Sequence, residues 1–246
     1  MIDTPPWSAP ELRHRLNEHN QPTGEPIEHW SPRPRPPREP AQGRYCRIEP
    51  FDVAAHGDAL YDAFARDTAG QNWTYLGYGP FDSRDAFLDW SRRECNGDDP
   101  LFHTLIDVES GRPTGLASYL RIDPVMGVIE VGHIHLSPLM QGTRLATEAM
   151  YLLMRRAFDE LGYRRYEWKC DALNAPSCRA AERLGFRFEG IFRQAMMYKG
   201  RNRDTAWFSM LDGEWPRIRA RFEAWLDPDN FDESGVQRRS LAQCGA

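Results

Sequence analysis

The stretch from residue 128 to 170 leaves few folds open to this chain. In its middle, residues 144–161 place Ala146, Ala149, Met150, Leu153, Ala157 and Leu161 on one helical stripe, and Gly162 stands where a left-handed cap ends a helix. Residues 128–136 read as a strand before that helix. After it, Tyr166, Trp168 and Cys170 alternate with Glu167 and Lys169 as a second strand. Strand, long helix and strand in direct succession form a crossover, which makes the two strands parallel. Upstream, the runs 101–108 and 114–122 are joined by Glu109-Ser110-Gly111-Arg112, a hairpin spacing, and Asp123-Pro124 with Gly127 turns the second run into 128–136. An antiparallel meander whose last strand opens a parallel unit predicts a mixed α/β fold, not a doubly wound one.

The strand at 128–136 carries an irregularity. Ile129 and Val131 share one parity, while Ile134 and Leu136 share the other, so the apolar face slips across Gly132-His133. A single extra residue, a β-bulge, produces that slip and frees backbone groups from the ladder. Around this unit the pattern predicts a strand at 45–50, helices at 54–66 and 83–94, a short helix at 175–184, strands at 187–189 and 205–211, and a closing helix at 214–226.

The ends differ from this centre. Residues 1–43 form a proline/arginine-rich N-terminal arm: Pro32, Pro34, Pro36, Pro37 and Pro40 alternate with Arg33, Arg35 and Arg38, favouring polyproline II. A short helix at 9–20 precedes it. The globular domain is expected at 44–228 and a polar C-terminal tail at 229–246. A net charge of −5 argues against a nucleic-acid partner, and no apolar run is long enough for a membrane span. The N-terminus lacks a secretory signal pattern, and the five cysteines include no CxxC pair. Both features fit a cytoplasmic protein with reduced thiols, no disulfide framework and no metal site.

The junction Ser137 to Thr147 links the bulged strand to the long helix. Such a turn presents unpaired amides and the positive end of the helix dipole, a seat for a pyrophosphate, and the small residues Gly142, Thr143 and Ala146 allow close approach.

Over residues 128–211 the chain resembles the GCN5-related N-acetyltransferase (GNAT) family, closest to its RimJ/RimL-like branch. The matching runs are Ile129 to Pro138, Gln141 to Ala149, Asn174-Ala175-Pro176-Ser177, Ala181-Glu182-Arg183-Leu184-Gly185-Phe186, Phe188-Glu189-Gly190 and Asp204. The resemblance implies the GNAT acyl-CoA N-acyltransferase fold, a central mixed sheet with splayed fourth and fifth strands flanked by helices. It implies acetyl-CoA as co-substrate, a primary amine acceptor (a protein N-terminus or a small molecule) and an arrangement compatible with a homodimer. Cofactor contacts would come from Ile134, Leu136, Gln141, Gly142, Thr143, Arg144, Leu145, Ala146, Thr147, Asn174 and Ser177. Arg144 replaces the central glycine of the family's phosphate loop, and Ala181 stands where many members carry a tyrosine acid. Ser177 is then the candidate proton donor to the departing thiolate, and it doubles as a first-turn residue of its helix.

Glu130 and Glu189 resemble family positions that face the cleft, which makes them the candidate bases, each equally compatible with an ion pair or a surface charge. Trp73, Tyr75, Tyr78 and His133 are the candidate acceptor contacts, with Trp73 also suited to core filling. His133 and His135 share a parity and suit a water-linked proton relay. The competing reading, favoured by the Arg144 and Ala181 departures, is an acyl-CoA-binding sensor or interaction module without turnover.

Overall fold

The computed structural model describes residues 14–245. They divide between two compact units, Met1–Pro32 and Arg33–Ala246. In the smaller one, β1 (His14–Leu16) pairs antiparallel with β2 (Pro22–Gly24). The Asn17 side chain accepts from the amides of His19 and Gln21, which turns the chain where a helix over 9–20 was expected. Residues 9–13 of that expectation lie outside the described residues.

The larger unit is built on one eight-stranded sheet. In chain order it runs β3 (Ala41–Gln42), β4 (Cys46–Pro50), α1 (Val53–Phe64), α2 (Arg84–Glu94), β5 (Leu101–Asp107), β6 (Pro113–Asp123) and β7 (Val128–Leu136). It continues with α3 (Arg144–Arg155), β8 (Arg165–Asp171), α4 (Ala175–Leu184), β9 (Arg187–Tyr198), β10 (Arg201–Leu211) and α5 (Trp215–Leu226). The order in space is β3-β4-β5-β6-β7-β8-β10-β9, and only β7–β8 is parallel. The mixed α/β sheet is thus the one expected. The strand predicted at 187–189 extends to Tyr198 because it forms a long hairpin with β10 around Lys199-Gly200.

Strand alternation sends side chains to two cores. Leu60 and Phe64 of α1 and Phe87 and Trp90 of α2 pack on Phe102 and Leu116 on one face. On the other, Ala149, Leu153 and Ala157 of the long helix join Tyr119, Val131, Tyr166, Ala206 and Phe222. Four of the five α-helices start on a side-chain cap that satisfies otherwise orphaned amides: Asp52 for α1, Ser83 for α2, Thr143 for α3 and Asn174 for α4.

The ends pack more than their composition suggests. Within the larger unit, the Arg33 amide donates to Pro124 O, Tyr163 Oη donates to Pro34 O, and Arg156 donates to the carbonyls of Glu39 and Pro40. Ala41 and Gln42 then join the sheet beside β4. Proline leaves carbonyls free, and a cationic donor can fasten them without a ladder. The segment expected as a polar tail carries Leu241 and Cys244, both buried in the main core. With Phe231, buried in the same core, they are three apolar residues in a polar run, too few for a compositional reading to register.

Two details of the sheet position the site. Between β6 and β7, Gly132 faces Ser118 while His135 faces Leu116, so three steps along β7 match two along β6. The extra residue is the bulge, and His133 within it has φ +49°. The pairing of β7 with β8 ends at Val131↔Trp168. Beyond that point the two strands part and leave a cleft between them.

Candidate functional site

Two cavities open at the parted strands. The larger, about 800 Å3, is lined by Ile134, Leu136, Gly142, Thr143, Arg144, Ala146 and Thr147, with Met150, Trp168, Ala180, Arg183 and Leu184 opposite. The smaller, about 280 Å3, lies among Tyr75, Tyr78, Glu130, His133, Asn174 and Ser177. Ile134 and Trp168 line both. The cavities therefore meet where β7 leaves β8.

At the larger cavity the turn between β7 and α3 is held from inside. Thr143 Oγ1 donates to Met140 O at 2.7 Å and accepts from the Ala146 amide at 3.3 Å. The first helical amides, those of Arg144 and Leu145, have no intrahelical acceptor and carry the helix's positive end. Gly142 has φ +72°, and a Cβ there would meet nothing within 4 Å, so the loop is open above it. The guanidinium of Arg144 lies 4.3 Å from the Tyr45 ring centroid and 5.5 Å from that of Phe231. Arg183 lies 5.2 Å from the Trp225 ring and donates to Thr147 Oγ1 at 3.2 Å. Among the described residues neither arginine has a carboxylate partner. Two cations rest on aromatic rings at a helix N-terminus, an arrangement suited to phosphate.

Glu148 fixes part of this wall. Its carboxylate accepts the amides of Arg44, Tyr45 and Cys46, which places the Tyr45 ring under Arg144. The far wall comes from Trp225, Phe231 and residues 234–237. Trp225 Nε1 donates to Gln237 Oε1 at 2.8 Å, and Asn230 binds Trp225 O and Arg239 O.

At the smaller cavity, Ser177 sits in the first turn of α4, and its amide donates to Asn174 Oδ1. Trp168 Nε1 donates to Ser177 Oγ at 3.0 Å. An indole is a donor only, so the serine oxygen accepts and its own hydrogen is left to donate, with the Cys170 sulfur beside it. Tyr75 Oη donates to Leu173 O, and Tyr78 Oη lies 3.3 Å from His133 Nδ1. Burial, then the nearby Arg121 and Arg203, lowers the His133 pKa to about 4, so its imidazole is neutral near pH 7.

Glu130 is buried and ion-paired to Lys169 at 2.8 Å and Arg121 at 2.7 Å. Burial raises its pKa against the opposing pull of Lys169 and Arg121. Lys169 is shared with Glu167 at 2.7 Å and covers the Trp207 ring.

Several expected site residues fall elsewhere. Glu189 lines neither cavity: it is exposed, held by both Arg165 nitrogens at 2.8 and 2.6 Å and by Ser209, and these contacts lower its pKa. Trp73 is buried against Phe64, Tyr78, Phe81 and His135 as core. Gln141 is exposed and donates back to Leu136 O, and Leu145 turns into the core below the loop. Asn174 lines the smaller cavity, not the larger. His133 and His135 both stay on the α1–α2 face, but His135 is buried and stacked on Phe64 at 3.9 Å, away from both cavities. Conversely, Tyr45, Arg183, Trp225 and Phe231 were not anticipated. Their ring–cation pairings join residues 42 to 99 positions apart, and no local pattern announces them.

The acetyltransferase (GNAT) domain family model matches residues 47–187, more than half of the chain. The chain belongs to the GNAT family of acetyltransferases. A GCN5-related N-acetyltransferase from Brucella melitensis is 50% identical and superposes with a TM-score of 0.86, over 88% of this chain and 98% of that one. A probable GNAT-family acetyltransferase from Chromobacterium violaceum is 43% identical with a TM-score of 0.74, over 80% and 98% of the two chains. The uncharacterised N-acetyltransferase p20 of Bacillus licheniformis is 31% identical over 46% of this chain and 62% of its own length. As a GNAT fold, the splayed pair of the family is β7 and β8 here. Among the described residues, no group of three His, Cys, Asp or Glu side chains is placed to hold a metal, and no helix is long and apolar enough to cross a membrane.

Proposed function

We propose that this GNAT domain transfers an acetyl group from acetyl-CoA to a primary amine by direct attack on the thioester. The observation that carries the reading is the meeting of the two cavities at Ile134 and Trp168. The coenzyme fits the larger cavity, with its pyrophosphate at the amides of residues 142–146 and its phosphates near Arg144 and Arg183. Its pantetheine arm runs along the freed backbone edge at Ile134 and Leu136. The acceptor, a protein N-terminus or a small molecule, enters the smaller cavity.

Each proton has a candidate carrier. The neutral His133 imidazole accepts from the amine, and the cations beside it disfavour the ammonium form that cannot attack. Glu130, already matched by two cations, holds Lys169 and Arg121 in place and is less suited to take a proton. Ser177 donates a hydrogen bond from its hydroxyl to the departing thiolate, and the proton that completes the thiol is the one taken from the amine, returned through His133 or water. In this reading 44–228 is the reaction core between the arm and the tail, with Ala41–Gln42 added at the sheet's edge and residues 234–237 as an added wall.

Free-thiol release from acetyl-CoA in the presence of an amine and peptide panel tests the reading. Acetyl-CoA raising the melting temperature while no amine stimulates release would instead establish a sensor that binds without turnover. No melting shift would remove the cofactor assignment itself.

A further inference from the structure

Arg203 enters the chemistry above only as a charge beside His133, yet its side chain also lines the smaller cavity. It is half-buried on β10, and its Nε donates only to the Thr205 hydroxyl at 3.1 Å. Among the described residues it has no carboxylate partner. Its neighbours in the same cavity are already matched. Glu130 is held by Lys169 and Arg121, and Asp171 accepts from Tyr198 Oη at 2.7 Å and from the Leu173 amide. The cavity lining thus counts Arg121, Lys169 and Arg203 against Glu130 and Asp171, with Glu167 behind it sharing Lys169, and among the described residues Arg203 is the cation of the three with no carboxylate on it.

A cation left over in a cavity of about 280 Å3 is incomplete without an anion. That volume sits at the low end for small-molecule pockets and leaves little room for a peptide chain. Arg203 also acts electrostatically on His133, the proposed amine contact, so the two ends of a compact molecule can reach both.

We propose that the acceptor is a small primary amine carrying a carboxylate or phosphate, with the anion held by Arg203 and the amine presented to His133. A guanidinium offers two parallel donors to either anion. This inference rests on the acetyl-transfer reading above and adds the class of acceptor to it.

The test compares matched acceptors by thiol release: 4-aminobutyrate against 4-aminobutanamide, aspartate and glutamate against their side-chain amides, and O-phosphoethanolamine against ethanolamine. Concentrations are set for equal neutral amine, so that basicity does not decide the result. The charged member of at least one pair is expected to be favoured at least about tenfold in kcat/KM, the worth of one charge-assisted contact. The carboxylate and phosphate pairs separate the two sources of negative charge. Arg203→Gln should erase that preference through KM for the amine while leaving KM for acetyl-CoA unchanged, and Arg203→Lys should restore part of it.

Equal turnover of charged and neutral members overturns the acceptor class but leaves acetyl transfer standing. So does turnover confined to peptide N-termini. Acetyl-CoA binding without turnover of any acceptor overturns both. A preference that survives Arg203→Gln, in a variant whose melting temperature still rises with acetyl-CoA, overturns the assignment to Arg203.

Discussion

The two cavities of this chain are built by different means. The larger relies on backbone: a helix N-terminus, an open glycine and the freed edge of a bulged strand, with cations stacked on rings around them. The smaller relies on side chains from six separate stretches of sequence, balanced by ion pairs. Backbone recognition tolerates changes of residue. Arg144 can replace a glycine because amides still point outward while its side chain lies on Tyr45. Side-chain recognition has no such tolerance, and one unmatched arginine changes which molecules fit.

The largest expected effect attacks the backbone seat. Ala146→Phe would fill the space above the first turn of α3 and weaken acetyl-CoA binding on the order of a hundredfold, about 3 kcal/mol. The acetyl-CoA-dependent rise in melting temperature should vanish while the fold persists by circular dichroism. Substituting the exposed Gln141 by alanine should leave that rise nearly intact, since its side chain only returns to Leu136 O.

Next is the contact between the cavities. Ser177→Ala should lower kcat about 10- to 100-fold with KM for acetyl-CoA little changed, the pattern for loss of a proton donor. It also leaves Trp168 Nε1 without its acceptor, costing about 1–3 kcal/mol of stability. A drop in stability without a drop in kcat would reduce Ser177 to a structural partner of Trp168.

The acid response reads buried histidines on both faces of the sheet, His133 and His135 on the α1–α2 side and His103 against Tyr119 on the other. Burial lowers the pKa of His133 to about 4 and of His103 and His135 to about 3, all from 6.5. Below pH 6.5 the unfolded chain takes up protons that the folded chain refuses. Stability is therefore full above 6.5 and falls as pH drops toward 4, by at most about 4 kcal/mol per pH unit if three sites act together. His135→Phe removes one of those sites and keeps the stacking on Phe64, so urea unfolding at pH 5 should show a smaller loss relative to pH 8. Equal acid loss in variant and parent would show that His135 is protonated in the fold.

The smallest effect concerns Glu189. Because it is exposed and clamped by Arg165, Glu189→Gln should change kcat by less than about twofold and stability by about 1 kcal/mol or less. A large fall in kcat would return Glu189 to the chemistry and undo the separation of the two cavities.

Much of the fold was legible because periodicity reports burial. The alternation at Tyr166, Trp168 and Cys170 and the slip at Gly132-His133 appear as the strand and bulge they imply, and the stripe from Ala146 to Leu161 appears as α3 to Arg155 continued by a π-helical turn over Arg156–Glu160. The site was legible only in part. Gly142, Thr143 and Ala146 belong to one short motif at the start of α3 and Ser177 to another at the start of α4, each with a fixed local geometry. Glu189 and Trp73 fitted the pattern equally well as cleft residues, and their partners Arg165 and Phe64 are distant in sequence.

The sequence by itself determined the crossover, the bulge, the caps and the family, since these depend on neighbours within a few turns or on an ordered motif. Only the tertiary structure decided which charges cancel. Glu130 meets Arg121 and Lys169, Glu189 meets Arg165, and Arg203 lines the smaller cavity without a carboxylate of its own among the described residues. It also decided that residues 234–237 wall the larger cavity, held by Trp225 and by Leu241 in the core. Ion pairing falls off within a few ångströms, and sequence separation carries no information about that distance.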